Sequence, residues 1–236
     1  SPPTNGALGT VVSTGATTAT VEYTPTANYT GPDSFTFTVD DGTVASAPAT
    51  VSITVSNVND PPTVDDVSDT TDEDVAVTLT LTGGDIDGDP LTFSVVSGPG
   101  DGTLGAITST GPTTAQVTYT PDGNFNGSDS FTVKANDGTV DSSANATISI
   151  TVNPVDDPPT ATAGSETVDE DDSVVITLSG TDVDTADLTF AIVSGPTSGG
   201  LSGISGNGAG QTATVTYTPT ADYNGADSFD FTVNDG

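Results

Sequence analysis

Apolar and polar residues trade places one by one along five runs in the middle of the chain: residues 75–81, 91–95, 115–120, 130–135 and 146–152. A period of two marks a strand that buries one face, and the runs are built from Val, Ile, Thr, Phe and Tyr, the residue types that strands favour. A first strand near residues 63–70 and a short one near 104–108 bring the set to about seven. Gly, Pro and Asp punctuate the runs every eight to twelve residues or so, as turns require. No stretch carries the 3.6-residue period of a helix.

The whole pattern recurs. Residues 97–138 match 1–42 at a constant offset of 96, and residues 158–196 match 61–99 at an offset of 97. The marker of the repeat is Asn57-Val-Asn-Asp-Pro-Pro62, which returns as Asn153-Pro-Val-Asp-Asp-Pro-Pro159. Two prolines forbid continuation of the strand and stiffen the exit, so this stretch reads as a joint between domains. The expected organisation is a partial repeat at 1–57, holding the C-terminal part of the unit, a complete repeat at 58–153, and a repeat at 154–236 that lacks its last strand. Ser1 corresponds to mid-domain Ser97 and Gly236 to Gly138, so the chain is expected to continue past both ends. The fold class that follows is all-β: tandem immunoglobulin-like β-sandwich repeats of about 97 residues, arranged as an elongated rod.

The five tyrosines and eight phenylalanines fall on five repeat positions: Tyr23/Tyr119/Tyr217, Tyr29/Phe125/Tyr223, Phe35/Phe131/Phe229, Phe37/Phe231 and Phe93/Phe190. Most lie in the alternating runs on the same side as neighbouring Val or Leu, which assigns them to the core. None is left as a platform for stacking a sugar.

Charge narrows the partners. One Lys and no Arg or His stand against 33 Asp and Glu, a formal net charge of −32. With no basic patch to neutralise phosphate, nucleic acid and anionic membrane surfaces are repelled, and cations are selected. The absence of Cys removes disulfides, and the single Lys134, with Thr38 and Thr232 at the matching positions, removes a repeated side-chain amide cross-link. A metal is the remaining common reinforcement for domains this small. No apolar run reaches the length of a membrane-spanning helix, so no membrane insertion is expected.

In a seven-strand sandwich the loop after the second strand and the loop before the last lie at the end where the chain enters. That brings Asp85-Ile-Asp-Gly-Asp89 and Asn136-Asp-Gly138 beside residues 57–62, while Asp72-Glu-Asp74 and the loop of Asp129 lie beside 153–159. Clustered like charges cost free energy unless cancelled, and a set made only of carboxylate and carbonyl oxygens suits Ca²⁺. Zinc and copper are disfavoured without His or Cys. Each Asp-Gly pair taken singly is ordinary turn chemistry.

The run Asp85-Ile-Asp-Gly-Asp-Pro-Leu-Thr-Phe-Ser-Val95, then Ala135-Asn-Asp-Gly138, then Ile148-Ser-Ile-Thr-Val-Asn153 and its proline linker resembles the cadherin repeat, in the tandem form of large bacterial surface adhesins. The resemblance covers the whole chain. It implies calcium ligands at Asp85 and Asp87, with Asp182 and Asp184 in the third repeat; at Asp137 and Asp235; at Glu73; and in the linkers at Asn57, Asn59, Asp60, Asn153, Asp156 and Asp157. The Leu-Asp-Arg-Glu type motif of cadherins is not found, so one or two calcium ions per joint are implied rather than three. The function implied is that of a stalk or filament segment of a secreted or cell-surface adhesin-like protein, extracellular and rigidified by calcium at its joints. Its partners would be calcium ions, neighbouring repeats of the same longer chain, and like filaments or a cell-surface ligand. The alternative is a repeat that itself binds a carbohydrate or protein; the repeats carry no long irregular insertion where binding loops usually live. Catalysis is not expected, because the acids recur in every repeat at the domain ends, whereas an active site is built once, in a pocket.

Overall fold

The computed structural model describes all 236 residues and contains strands but no helix. Residues 1–57 hold β1 (Gly6–Leu8), β2 (Val12–Gly15), β3 (Thr18–Thr20), β4 (Tyr23–Pro25), β5 (Gly31–Phe37) and β6 (Ala49–Val55). The middle repeat holds β7 (Thr63–Val64), β8 (Val67–Asp72), β9 (Val77–Gly84), β10 (Thr92–Ser97), β11 (Gly102–Leu104), β12 (Thr108–Gly111), β13 (Thr114–Pro121), β14 (Gly127–Asn136) and β15 (Ala146–Asn153). The rest is β16 (Thr160–Thr162), β17 (Val174–Thr181), β18 (Thr189–Ser194), β19 (Gly199–Leu201), β20 (Thr212–Pro219) and β21 (Asp230–Asn234). The chain divides into two compact units, one of residues 1–122 with 127–152, the other of 123–126 with 153–236.

In the first unit the middle repeat forms a two-sheet sandwich, one sheet ordered β10-β14-β15-β8 and the other β11-β13-β9-β7 with β12 also on β13. The two inner faces supply the core: Leu79 and Leu81 from β9, Val117 and Tyr119 from β13, Phe131 and Val133 from β14, Ile148 and Ile150 from β15, all at most 1% exposed. The strict alternation of β15 shows why its register is fixed, since a slip of one residue would turn Ala146, Ile148, Ile150 and Val152 out to water.

Two details depart from the expected seven strands. The opening strand is split: β7 pairs with β9 in one sheet, whereas β8 lies beside β15 in the other. The switch falls on Asp65 and Asp66. The Asp65 carboxylate accepts a hydrogen bond from Thr82 Oγ1 at 2.8 Å, and Asp66 Oδ1 accepts one from the Thr147 amide at 2.7 Å, one aspartate to each sheet. The segment between β10 and β13 forms two short strands, β11 and β12, both on β13, because β13 is long enough to pair with each in turn.

Gly102, at the start of β11, leaves room for the ring of Tyr119. A Cβ there would stand 2.5 Å from Tyr119 Cε2 and 2.7 Å from the Thr120 carbonyl oxygen, and Gly6 and Gly199 meet Tyr23 and Tyr217 in the same way. Tyr119 is fully buried and has nowhere to retreat. Gly102→Ala should therefore destabilise the first unit by about 1–3 kcal/mol. An unchanged urea midpoint would contradict this packing.

The second unit repeats the scheme with sheets β16-β17-β20-β19 and β18-β21. Its core gathers Leu178, Leu188, Phe190, Ala213 and Val215, with Phe229 and Phe231 packed against it. Of the aromatics, Phe35, Tyr119, Phe131, Phe190 and Tyr217 are buried in the core as expected, Phe37 is 47% exposed, and the others are half-buried, Tyr29, Phe125 and Tyr223 among them in turns outside the strands. Residues 1–57 contain no counterparts of β8 to β10 to cover Phe37.

Candidate metal centre

The loop between β9 and β10 builds its acid cluster through its own backbone. Asp85 Oδ1 accepts hydrogen bonds from the amides of Asp87 (2.8 Å) and Asp89 (3.2 Å), which curls the loop about the Asp85 carboxylate. Gly88, at φ +83°, takes the left-handed backbone that this tight curl needs. One carboxylate oxygen from each of Asp85, Asp87 and Asp89 then lies within 4.8 Å of the others. Asp85 Oδ2 is buried and accepts no hydrogen bond.

The preceding linker is tied to this loop. The Asp60 amide donates to Asp87 Oδ2 at 2.8 Å, and Asn59 Nδ2 donates to Asp137 Oδ2 at 2.8 Å. The other oxygen of Asp137 accepts from the amides of Thr139 (2.6 Å) and Val140 (2.7 Å). The Asn59 hydrogen bond, followed by the Val140 amide, holds the Asp137 carboxyl below its ordinary range.

The second unit repeats the frame. The Asp157 amide donates to Asp184 Oδ2 at 2.8 Å, the Asp184 amide donates to Asp182 Oδ1 at 2.9 Å, and Asp182 Oδ2 is buried without a hydrogen-bond partner. Where the first unit has Asn59, however, the second has Asp156. The charge of Asp235, then burial, then the charges of Asp184 and Asp182 push the Asp156 carboxyl above its ordinary range. Asp187 is turned away to accept the Gly210 amide at 2.8 Å, so this loop offers no third carboxylate like Asp89.

Of the residues singled out by sequence, the structure brings Asn59, Asp60, Asp85, Asp87 and Asp137 together in the first unit, and Asp156, Asp157, Asp182, Asp184 and Asp235 in the second. Asn57 has an exposed side chain, Asn153 ends β15 exposed, and Glu73 is buried in the turn between β8 and β9, outside the group of Asp85, Asp87 and Asp89. Sequence reasoning passed over Asp89 as a ligand, although the spacing Asp-x-Asp-Gly-Asp was in view.

It also passed over a second repeated feature. Tyr119 Oη donates to Asp129 Oδ2 at 2.9 Å, and the same carboxylate accepts the amides of Gly100, Asp101 and Ser130. Tyr23 with Asp33 and Tyr217 with Asp227 form the same pair, each ten residues apart. Asp129 and its counterparts are therefore internal staples. Burial acts on Asp129 to raise its carboxyl, but the amides of Gly100 and Asp101 and the Tyr119 hydroxyl outweigh it and the net shift is downward. At Asp227, where burial opposes the amides of Thr197 and Ser198, the result is about 2.

Residues 59–154 match the bacterial cadherin-like domain, and residues 2–54 and 156–236 match the bacterial Ig domain. The latter two spans make up more than half of the chain. The chain belongs to the bacterial Ig domain family. Its modules are thus the immunoglobulin-like and cadherin-like repeats of bacterial surface proteins. No curated protein is similar enough to this bacterial Ig chain to count as a match. Among solved structures it is similar to an endo-fucoidan hydrolase of glycoside hydrolase family 107, at 20% identity and a TM-score of 0.37, covering 96% of this chain and 35% of that one. It is similar also to the adhesin InvE of Yersinia pseudotuberculosis, at 19% identity and a TM-score of 0.29 over 67% of this chain and 51% of that one. A tandem of titin Ig domains gives 8% identity and a TM-score of 0.27 over 76% and 97% of the two chains. The bacterial Ig chain spans about a third of the length of the first of these. No helix in it is long and apolar enough to cross a membrane.

Proposed function

We propose that this chain is a non-catalytic structural segment of a bacterial surface or secreted adhesin-like protein, in which calcium fixes each linker to the repeat that follows it. The observation that carries this reading is the pair of buried carboxylate oxygens without a donor, Asp85 Oδ2 and Asp182 Oδ2, at the same place in two repeats, the first of them in a group with Asp87 and Asp89. A buried acceptor left unmatched costs free energy, and with one Lys in 236 residues the chain has no cation of its own to spend there. The donor set fits a hard divalent ion: oxygens only, and no His or Cys. Cadherin-like domains generally bind calcium, and residues 59–154 match that domain.

When bound, calcium would supply charge neutralisation and six to eight directional oxygen contacts. The chain's own residues do the rest. In the first unit Asp85, Asp87 and Asp89 would hold the ion, on a loop already curled by its own amides. In the second unit Asp182, Asp184, Asp156 and Asp235 would hold it. The amides of Asp60 and Asp157 pull each linker onto its loop through Asp87 and Asp184.

Calorimetric titration of the chelator-stripped chain tests the reading. The double variant Asp85→Asn with Asp87→Asn should remove the sites of the first unit and leave those of the second, with affinities of about 10⁻⁴ to 10⁻³ M, as in other extracellular modules. A wild-type chain that binds no calcium in the millimolar range would sink it.

A further inference from the structure

The second unit carries an open groove where the middle repeat carries β15. In the middle repeat β15 lies between β14 and β8 and seals the core. In the second unit β21 pairs with β18 alone, and the counterparts of β8 and of the first half of β14, residues 164–169 and 225–229, lie outside any strand. Between them runs a groove of about 660 Å³, floored by Ile176, Leu178, Phe229 and Phe231. Ile176 and Phe229 are half-buried, whereas the matching Leu79 and Phe131 are at most 1% exposed. An apolar channel flanked by two backbone segments that no strand pairs has the form of a strand acceptor.

The chain itself holds a strand that fits. β6, Ala49-Thr-Val-Ser-Ile-Thr-Val55, differs from residues 146–152 of β15 only in having Val51 for Ile148. The ladder partner matches as well: residues 225–231 differ from β5 only in having Ala226 for Pro32 and Asp230 for Thr36. β6 can therefore leave β5 for the groove in an unchanged register, with Val51 opposite Phe229 as it now stands opposite Phe35. The ladder it gives up has two strands, in which Val51, Ile53 and Val55 stay half-exposed, and two strands alone are marginally stable in water. The setting it gains is the one that leaves Ile148, Ile150 and Val152 at most 2% exposed in the middle repeat. We propose that β6 of a second copy of this chain inserts into the groove of the second unit and takes the place that β15 holds in the middle repeat. Donor and acceptor are different surfaces, so the contact is heterologous and adds copies in a row rather than closing a pair. A net charge of −32 opposes the approach of two copies, so association should strengthen with salt, which screens exposed charges beyond about 8 Å at physiological ionic strength.

Sedimentation of the whole chain in physiological salt with chelator should show the mass rise from 23.2 kDa to multiples of it as the concentration increases. Over the same range the amides of residues 225–229 should gain about tenfold or more protection from hydrogen exchange. Ile53→Asp puts a charge on the inserting face and should leave monomers. So should a chain extended past Gly236 by a copy of residues 139–153, which fills its own groove. Mixed, the two should pair one to one and stop there, since the first keeps an open groove and the second keeps β6. Unchanged exchange in β13 and β20 verifies that both variants are folded. A wild-type chain that stays monomeric overturns the proposal, whether its groove stands empty or its own β6 fills it. Oligomers that either variant leaves intact, a mixture that does not pair, and oligomers that form only in calcium, as carboxylates bridged by the ion would, overturn it equally.

Discussion

Asp129→Ala should free the segment before β11 and cost the middle repeat about 3 kcal/mol or more. The carboxylate is 8% exposed and is the common acceptor of four donors: the amides of Gly100, Asp101 and Ser130 and the hydroxyl of Tyr119. Removing one acceptor strands several buried or half-buried donors, each worth about 1–3 kcal/mol when it finds no substitute, and water recovers part of that for the loop amides. The amides of Gly100 and Asp101 should then exchange about a hundredfold faster. Tyr119→Phe, which removes one donor and keeps the ring, should cost only about 0.5–1.5 kcal/mol. Equal effects of the two variants would mean that the Tyr119 hydroxyl bond alone, and not the amides of Gly100, Asp101 and Ser130, carries the contribution of the carboxylate. The same staples set the response to acid. Their folded-state carboxyls lie below the unfolded value, so their contribution is complete above about pH 4 and is lost as the pH falls through the folded value, about 2 for Asp227.

Calcium should raise the thermal stability of the chain by about 2.7 kcal/mol for each filled site at a hundred times the dissociation constant. For a domain of this size that is a shift of about 10 °C or more in the corresponding transition. The gain should divide between the units. Asp85→Asn with Asp87→Asn should abolish it in the first and Asp182→Asn with Asp184→Asn in the second, because contacts in repeat arrays act between nearest neighbours. Melting curves that superimpose in calcium and in chelator would refute the assignment.

The fold was legible because one physical rule governs nearly every strand. A sheet with one buried face imposes a period of two, and β15 obeys it at every residue. The acid loops could be found for a similar reason: the carboxylates of Asp85, Asp87 and Asp89 are neighbours in sequence, and local spacing places them. Asn59 and Asp137 stand 78 residues apart, and the sandwich topology placed them at one end; what escaped was the amide hydrogen bond that joins them. Tyr119 and Asp129 belong to different sheets, so a spacing of ten that recurs in all three repeats looked like a core ring and a turn acid with no bond between them. The strand switch at Asp65 and Asp66 was hidden because two polar residues inside an alternating run read equally well as a continued outer face.

Lys134 is the one residue after which a protease specific for basic residues could cut this chain. The residue lies inside β14, paired with Ser94 of β10 and bound through its ammonium to Asp141. A protease must draw its substrate out as an extended strand, and here that means pulling apart a central strand of the sandwich. Trypsin-like enzymes would find nothing to cut in these folded residues, and a single bond in the unfolded ones.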